Sequence, residues 1–215
     1  MAQRSTVLVT GFDAFGGDPS NPSETLARRL NGRQVAGHRV VGAVLPTRFD
    51  RALTTLLARM ARHRPVLVVG LGLAGGRTGL SFERVAINLC DARIADNGGA
   101  QPIDLPVVAG GPAAYFSTLP VKSMCQAVQA EGIAAELSTT AGTFVCNQVF
   151  YGLMHHLATE VDGHGCRGGF IHVPWADGQG TPSLPLTSLE QGLRRALEVA
   201  LRTASDPRIA GGSLH

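Results

Sequence analysis

The chain has 215 residues, 44% of them hydrophobic and 16% charged, and its 19 basic and 16 acidic side chains leave a net charge of +3. That balance belongs to a globular chain with a substantial core, so the expectation is a single domain over 1–215 with a flexible tail from Ser205 to His215. Scattered Lys and Arg residues and an aromatic content of 5% exclude a basic stripe or a stacking platform, and no nucleic-acid partner is expected.

The first apolar segment, Thr6 to Thr10, is far shorter than a secretory core and breaks at Gly11-Phe12-Asp13. The longest apolar run, around Val66 to Ala74, is well below the roughly 18–20 residues of a membrane span. A cytoplasmic location with no membrane partner is therefore expected. Cys90, Cys125, Cys146 and Cys166 stand 35, 21 and 20 residues apart, with no Cys-x-x-Cys and no His-x-x-x-His. Neither a metal site nor a disulfide framework is expected, and no cofactor.

In chain order, Thr6 to Thr10 reads as a buried strand. Asn21-Pro22-Ser23-Glu24 is a helix start, with Asn21 as N-cap, Pro22 at N1 and Glu24 at N3, ahead of Leu26 and Leu30 on one face. Arg39 to Leu45 is the next strand, and Phe49, Leu53, Leu56, Leu57 and Met60 then recur at helical spacing. Val66 to Leu71 and Arg84 to Leu89 are further strands. The stretch from Ala92 to Phe116, with Asn97-Gly98-Gly99, Gly110-Gly111 and three prolines, reads as an excursion that covers a site or meets a partner. A helix over Val121 to Glu131, a strand over Ile133 to Ser138, a helix over Phe144 to Leu157 and a strand over Gly169 to Val173 follow. Thr187-Ser188-Leu189-Glu190 is a capping box ahead of Leu193, Leu197 and Leu201. Alternation of this kind predicts an α/β fold, a three-layer α/β/α sandwich with a mostly parallel central sheet and ligands beyond the carboxyl ends of its strands.

Gly70-Leu71-Gly72-Leu73-Ala74-Gly75 follows a strand, and Asp91 lies 21 residues beyond Gly70, as in a dinucleotide fingerprint. The context differs: Gly76-Arg77-Thr78-Gly79-Leu80-Ser81 is a poor helix, and strand character resumes at Phe82, so no helix N-terminus is offered to a pyrophosphate. A non-catalytic nucleotide or metabolite binder stays as an alternative. The earlier cluster from Gly11 to Gly17 lacks the Lys-Ser/Thr of a phosphate loop, and its Phe12 and Phe15 either cap the core or line an apolar pocket.

Cys146 stands apart from the other cysteines. Turn-like Thr139-Thr140-Ala141-Gly142-Thr143 precedes it, and Val145, Val149, Leu153 and Phe150, Met154, Leu157 recur at helical spacing, which puts Cys146 in the first turn of a helix. Free N–H groups and the positive end of the dipole favour a thiolate there, although a cysteine packed in the core fits the same pattern. A cysteine nucleophile needs a base and an orienting group. His172, near the end of the apolar strand Gly169-Phe170-Ile171-His172-Val173-Pro174, is the best-placed base, and Glu83 can accept its other N–H. Taken singly, His172 reads as a core histidine and Glu83 rather as a surface acid beside Arg84. His155 and His156 fall inside a helical pattern, and His38, His63, His164 and His215 lie in polar surroundings.

Six ordered motifs together carry a resemblance: Leu8-Val9-Thr10-Gly11-Phe12 with Phe15-Gly16-Gly17 and Asn21-Pro22-Ser23; Glu83-Arg84-Val85-Ala86-Ile87-Asn88; Asp91-Ala92-Arg93-Ile94; Tyr115-Phe116-Ser117-Thr118-Leu119-Pro120; Ala141-Gly142-Thr143-Phe144-Val145-Cys146-Asn147; and Gly169 to Pro174. From Thr6 to about Leu201 the chain resembles the pyroglutamyl-peptidase I family, the pyrrolidone-carboxylate peptidases. The resemblance implies a Cys-His-Glu triad of Cys146, His172 and Glu83, with Arg93 in the oxyanion region. It also implies an enzyme without metal or cofactor, often a homotetramer, that removes N-terminal pyroglutamyl residues from peptides. By the same likeness the ring would lie among Phe12, Phe15 and Phe144, with Thr47, Leu73, Ile94 and Val145 nearby. Leu73 stands where some members have Gln, Ala95 where Pro is common, Thr139 where Asn is common and Trp175 where Tyr is frequent. None of these departures removes a triad group. Another cysteine amidase, for example one acting on glutamine, is the remaining catalytic alternative.

Overall fold

The alternation of apolar side chains along the first strand divides the molecule into two cores. The structure is a computed structural model, describing residues 5–159 and 165–212. β1 (Thr6–Phe12) sends Val7 and Val9 to one face and Leu8 and Phe12 to the other. The later strands β4 (Leu67–Leu73) and β9 (Arg167–Val173) keep the same division, with Val69 and Ile171 on the first face and Val68 and Phe170 on the second. α1 (Pro22–Leu30), α3 (Val121–Gln129) and α5 (Leu186–Arg202) cover the first face through Leu26, Met124 and Leu193. α2 (Ala52–His63) and α4 (Val145–Thr159) cover the second through Leu56 and Val149.

The seven-stranded sheet has the order β2-β3-β1-β4-β9-β5-β8, where β2 is Gln34–Val35, β3 His38–Leu45, β5 Leu80–Glu83 and β8 Ala135–Ser138. β3, β1, β4 and β9 run parallel; β5 runs antiparallel to β9 and parallel to β8, and the short β2 is antiparallel to β3. This is the α/β/α sandwich with a mostly parallel sheet that the alternation of elements predicts. Asn21 caps α1 as expected, its Oδ1 accepting the Ser23 N–H at 3.0 Å.

Three expectations need correction. The strand expected over Arg84 to Leu89 is the junction of two elements: β5 ends at Glu83, and β6 (Val85–Ile87) leaves the sheet to pair antiparallel with β7 (Ala114–Phe116). The β-branched pattern continues across Glu83 with no Gly or Pro to mark the break. The helix expected from Phe49 begins at Ala52: the Phe49 N–H is taken by Asp96 Oδ2 at 2.7 Å, and its ring stands edge-on to Phe144. The capping box is unused: α5 opens at Leu186 behind Pro185 with no side-chain cap, and Glu190 faces Arg29 of α1 at 3.5 Å.

The segment from Ser205, expected to be a flexible tail, runs across the start of α3 as far as Gly212. Asp206 accepts the Lys122 and Ser123 N–H groups at 2.9 Å each, supplying from a distance the cap that Pro120 cannot provide. His215, the rest of the tail and His164 lie outside the described residues. After β9, the short strands β10 (Trp175–Ala176) and β11 (Ser183–Leu184) form a separate parallel pair.

Candidate active site

The registers of three neighbouring strands determine what meets at their ends. In the sheet His172 pairs with Gly72 of β4 on one side and Ser81 of β5 on the other, while Glu83 pairs with Phe170. Glu83 therefore stands diagonally across from His172 on the same face, and its Oε1 lies 2.7 Å from His172 Nδ1. Glu83 is fully buried and His172 is 4% exposed. An ionised carboxylate only accepts, so Nδ1 carries the proton and Nε2 is left as the nitrogen that can take one. The Phe170 ring lies against the imidazole with centroids 5.0 Å apart.

Cys146 arrives from the opposite layer as the second residue of α4. Its sulfur is seated on Gly72: a Cβ on that glycine would stand 2.7 Å from Sγ and 2.9 Å from Phe170 Cε1. Because Gly72 is the register partner of His172, the sulfur lies over the strand that neighbours the one carrying the imidazole. The other glycines of the apparent dinucleotide motif serve the same purpose. A Cβ at Gly70 would meet the Phe170 ring, and one at Gly75 the Trp175 ring, each at 2.5 Å. The motif thus marks close approach to a strand, and β4 leads through a turn to β5 rather than into a helix.

The start of α4 is held from beside and behind. Asn147, fully buried, accepts the Ile87 N–H at 3.1 Å and donates to the Ile87 and Leu89 carbonyls at 2.9 Å each, fixing the helix to β6. Thr143 Oγ1 donates to the Asp91 carbonyl at 2.6 Å, and the Asp91 N–H donates back to the Thr143 carbonyl at 3.0 Å.

Electrostatics favour a neutral resting pair. Burial pushes the Cys146 thiol up to about 12 and the Glu83 charge adds to the rise, while Arg77 and a backbone hydrogen bond oppose it. Burial also pushes His172 down, against the hydrogen bond and charge of Glu83, and Arg77 adds to the lowering. Desolvation thus outweighs the thiolate preference that a helix start alone suggests.

The residues expected around a substrate ring divide into two groups. Phe15 and Phe144 face each other across 5.9 Å, both half-buried, and Phe49 stands edge-on to Phe144 at 5.3 Å. Ile94, 42% exposed, lies near this group beside Gly16. Phe12 and Val145 instead belong to the second core, and Leu73 is the half-buried last residue of β4. Thr47 is buried and spends its N–H and hydroxyl on Asp13, at 2.7 and 3.0 Å. Arg93 is exposed and has no hydrogen bond or ion pair to a described residue.

Sequence reasoning missed four contributors. Arg77, in the turn after β4, donates to Glu83 Oε1 at 2.7 Å. Its signal was a lone cation in a glycine-rich turn six residues before the acid. Phe49 was absorbed into a helical pattern. Asp96, buried, accepts the Phe49, Gly98 and Ala100 N–H groups, and Asn97 donates to Asp13 Oδ1 and the Ala14 carbonyl, so the long excursion is clamped onto the Phe12–Phe15 loop. The Asp-Asn-Gly-Gly turn was the visible sign of that clamp.

A family model described as pyroglutamyl peptidase matches residues 5–203. A pyrrolidone-carboxylate peptidase of Cupriavidus necator is 52% identical over 215 residues, covering 98% of this chain and 99% of its own. One of Bacillus cereus is 45% identical at the same coverages, 98% and 99%. Among solved structures, pyroglutamyl peptidase I from Bacillus amyloliquefaciens superposes with a TM-score of 0.92 at 40% identity, over 97% of this chain and 100% of that one. Pyrrolidone carboxyl peptidase from Thermococcus litoralis gives 0.88 at 36% identity, over 92% and 94%. Matched along nearly its whole length in sequence and in fold, the chain belongs to the pyroglutamyl peptidase family.

Proposed function

We propose that this chain is a cysteine exopeptidase that hydrolyses the amide bond after an N-terminal pyroglutamyl residue, with Cys146 as nucleophile, His172 as general base and acid, and Glu83 as its orienting group. The observation that carries this reading is the 2.7 Å contact between Glu83 Oε1 and His172 Nδ1, beside a cysteine sulfur seated on Gly72. His172 Nε2 takes the thiol proton as sulfur attacks the carbonyl that follows the lactam ring. The resulting imidazolium is stabilised by Glu83 and protonates the departing amine; water, deprotonated by the same nitrogen, then cleaves the thioester.

Measured against a free thiol in water, full ionisation raises the thiolate fraction at most about thirtyfold at neutral pH, under about 2 kcal/mol, while nucleophilicity falls, and burial leaves the resting Cys146 thiol short even of the free value. An oxyanion donor is worth roughly 100- to 1,000-fold, so the free N–H groups at the start of α4 matter more. Family likeness adds Arg93 to that role, and no bond to a described residue holds it elsewhere.

The half-buried rings of Phe15, Phe144 and Phe49 favour a neutral lactam over a free N-terminus, which is cationic, and over a glutamyl terminus, which adds a carboxylate. Phe12, Thr47, Leu73, Ile94 and Val145 complete the expected surroundings of the ring. The partners are peptides with an N-terminal pyroglutamyl residue and further copies of the chain, in a homotetramer by family likeness. Ile103, Leu105 and Phe116 are 68%, 54% and 70% exposed and offer apolar surface for such an assembly, which sedimentation measures. Its place is the cytoplasm, and among the described residues no helix is long and apolar enough to cross a membrane.

The test is release of a fluorophore from pyroglutamyl, prolyl, glutamyl and glutaminyl amides, with and without iodoacetamide and a chelator. Selective pyroglutamyl cleavage that alkylation abolishes and chelation leaves intact is the expected result. Preference for the glutaminyl amide would transfer the chain to another class of amidase.

A further inference from the structure

On the reading just given, one side chain outside the triad touches two of its supports. Arg77 Nη1 donates to Glu83 Oε1 at 2.7 Å, the same oxygen that accepts the His172 Nδ1–H at 2.7 Å. Arg77 Nη2 donates to the Thr140 carbonyl at 2.9 Å. Thr140 belongs to the turn that leads into α4, whose second residue is Cys146. One planar guanidinium therefore fixes the carboxylate and the approach to the nucleophile relative to each other, which a lysine ammonium cannot do with the same geometry. This is no loose surface pair, since the Arg77 side chain is 23% exposed and that of Glu83 is fully buried.

We propose that Arg77 is a positioning residue for the peptidase reaction, holding Glu83 as the acceptor of His172 and tying it to the turn that sets Cys146. Its charge has a second consequence. The charged and titratable groups that act on the Cys146–His172 pair are Glu83 from β5 and Arg77 from the turn before it. A cation beside the pair disfavours the imidazolium and favours the thiolate, so both groups hold their protons less tightly than they would without it.

The experiment compares the wild-type chain with Arg77→Met and Arg77→Lys. It reads the pH dependence of kcat/KM on a pyroglutamyl amide, and the pH dependence of Cys146 alkylation with Cys146→Ala as the blank. Arg77→Met moves the limbs of the profile that fall within the measurable range upward by about 1 pH unit, slows alkylation at a fixed pH about tenfold, and lowers kcat about tenfold or more. Arg77→Lys restores the charge and returns the limbs toward the wild-type positions, while kcat recovers only in part because the second hydrogen bond is gone. A purely structural role would change stability or kcat without moving the limbs. Limbs of Arg77→Met that coincide with those of the wild type, or an Arg77→Lys profile displaced as far as that of Arg77→Met, overturn the proposal. If Arg77→Met does not fold, Arg77→Gln is judged by the same limbs. Turnover that survives Cys146→Ala removes the proposed function itself, whereas an unmoved Arg77→Met profile beside an active wild type removes only the role of Arg77.

Discussion

Substituting Gly72 by Ala places one methyl group between the sheet and the Cys146 sulfur. The new Cβ would stand 2.7 Å from Cys146 Sγ and 2.9 Å from Phe170 Cε1, against a lower edge of ordinary contact at 3.4 Å. Relief of 0.7 Å at the sulfur and 0.5 Å at the ring must come from α4 or β9, since Gly72 lies within a strand paired on both sides. Overpacking on this scale costs about 2 kcal/mol, or roughly 4–8 °C in Tm for a chain of this length. Displacement of the sulfur by most of an ångström costs roughly 100-fold in kcat. Gly152→Ala is the control, because Gly152 lies on α4 like Cys146 but a Cβ there crowds the Leu53 side chain of α2. Thermal unfolding and hydrolysis of a pyroglutamyl amide, measured on both variants, separate the effects. Both lose stability, and Gly72→Ala alone loses activity out of proportion to its folded fraction. Wild-type kcat in folded Gly72→Ala would refute the placement of the sulfur over β4.

Glu83→Gln leaves an amide where His172 Nδ1–H and Arg77 now find a buried carboxylate, and kcat should fall on the order of 10³–10⁴-fold with KM little changed; a loss below tenfold would deny Glu83 its orienting role. Asn147→Ala strips partners from one N–H and two carbonyls around β6, so thermal unfolding should register a loss of about 1–3 kcal/mol or more. Alkylation of the free enzyme by iodoacetamide should accelerate steadily above pH 8, because burial pushes the Cys146 thiol up to about 12; a flat rate from acid pH upward would mean a preformed ion pair. Burial pushes the Asp96 carboxyl up, but hydrogen bonds from the Phe49, Ala100 and Gly98 N–H groups and the charge of Arg48 together hold it below the usual carboxylate range. Its contribution to stability is thus complete above about pH 4, the unfolded value, and is lost as pH falls through the lower folded value. Asp96→Asn should flatten that part of the acid-side loss in a pH series of Tm.

Much of this architecture is written in local patterns, and the exceptions have physical causes. β1, β4 and β9 are buried on both sides, so their apolar runs are continuous and readable. The Asn21 cap and the place of Cys146 in the first turn of α4 follow from local chemistry, and the structure has both. The junction at Glu83 was illegible because leaving a sheet requires no change of residue type, only a change of partner: β5 pairs with β8 and β9, and β6 with β7. The Gly70–Gly75 pattern was readable as glycine but not as purpose, since the atoms that fill the space, Cys146 Sγ and the Phe170 and Trp175 rings, come from segments about 70 to 100 residues away. Asp206 capping α3 and Arg77 reaching Glu83 depend on tertiary proximity in the same way.

The central claim is that Cys146 carries the acyl group between two halves of a hydrolysis. Rapid acid quench during turnover of a pyroglutamyl amide, followed by proteolysis and mass analysis, reads it directly. The peptide bearing Cys146 should gain the mass of one pyroglutamyl acyl group in the wild type, and Cys146→Ala should show neither adduct nor turnover. An adduct on another residue, or full hydrolysis by Cys146→Ala, would contradict the account.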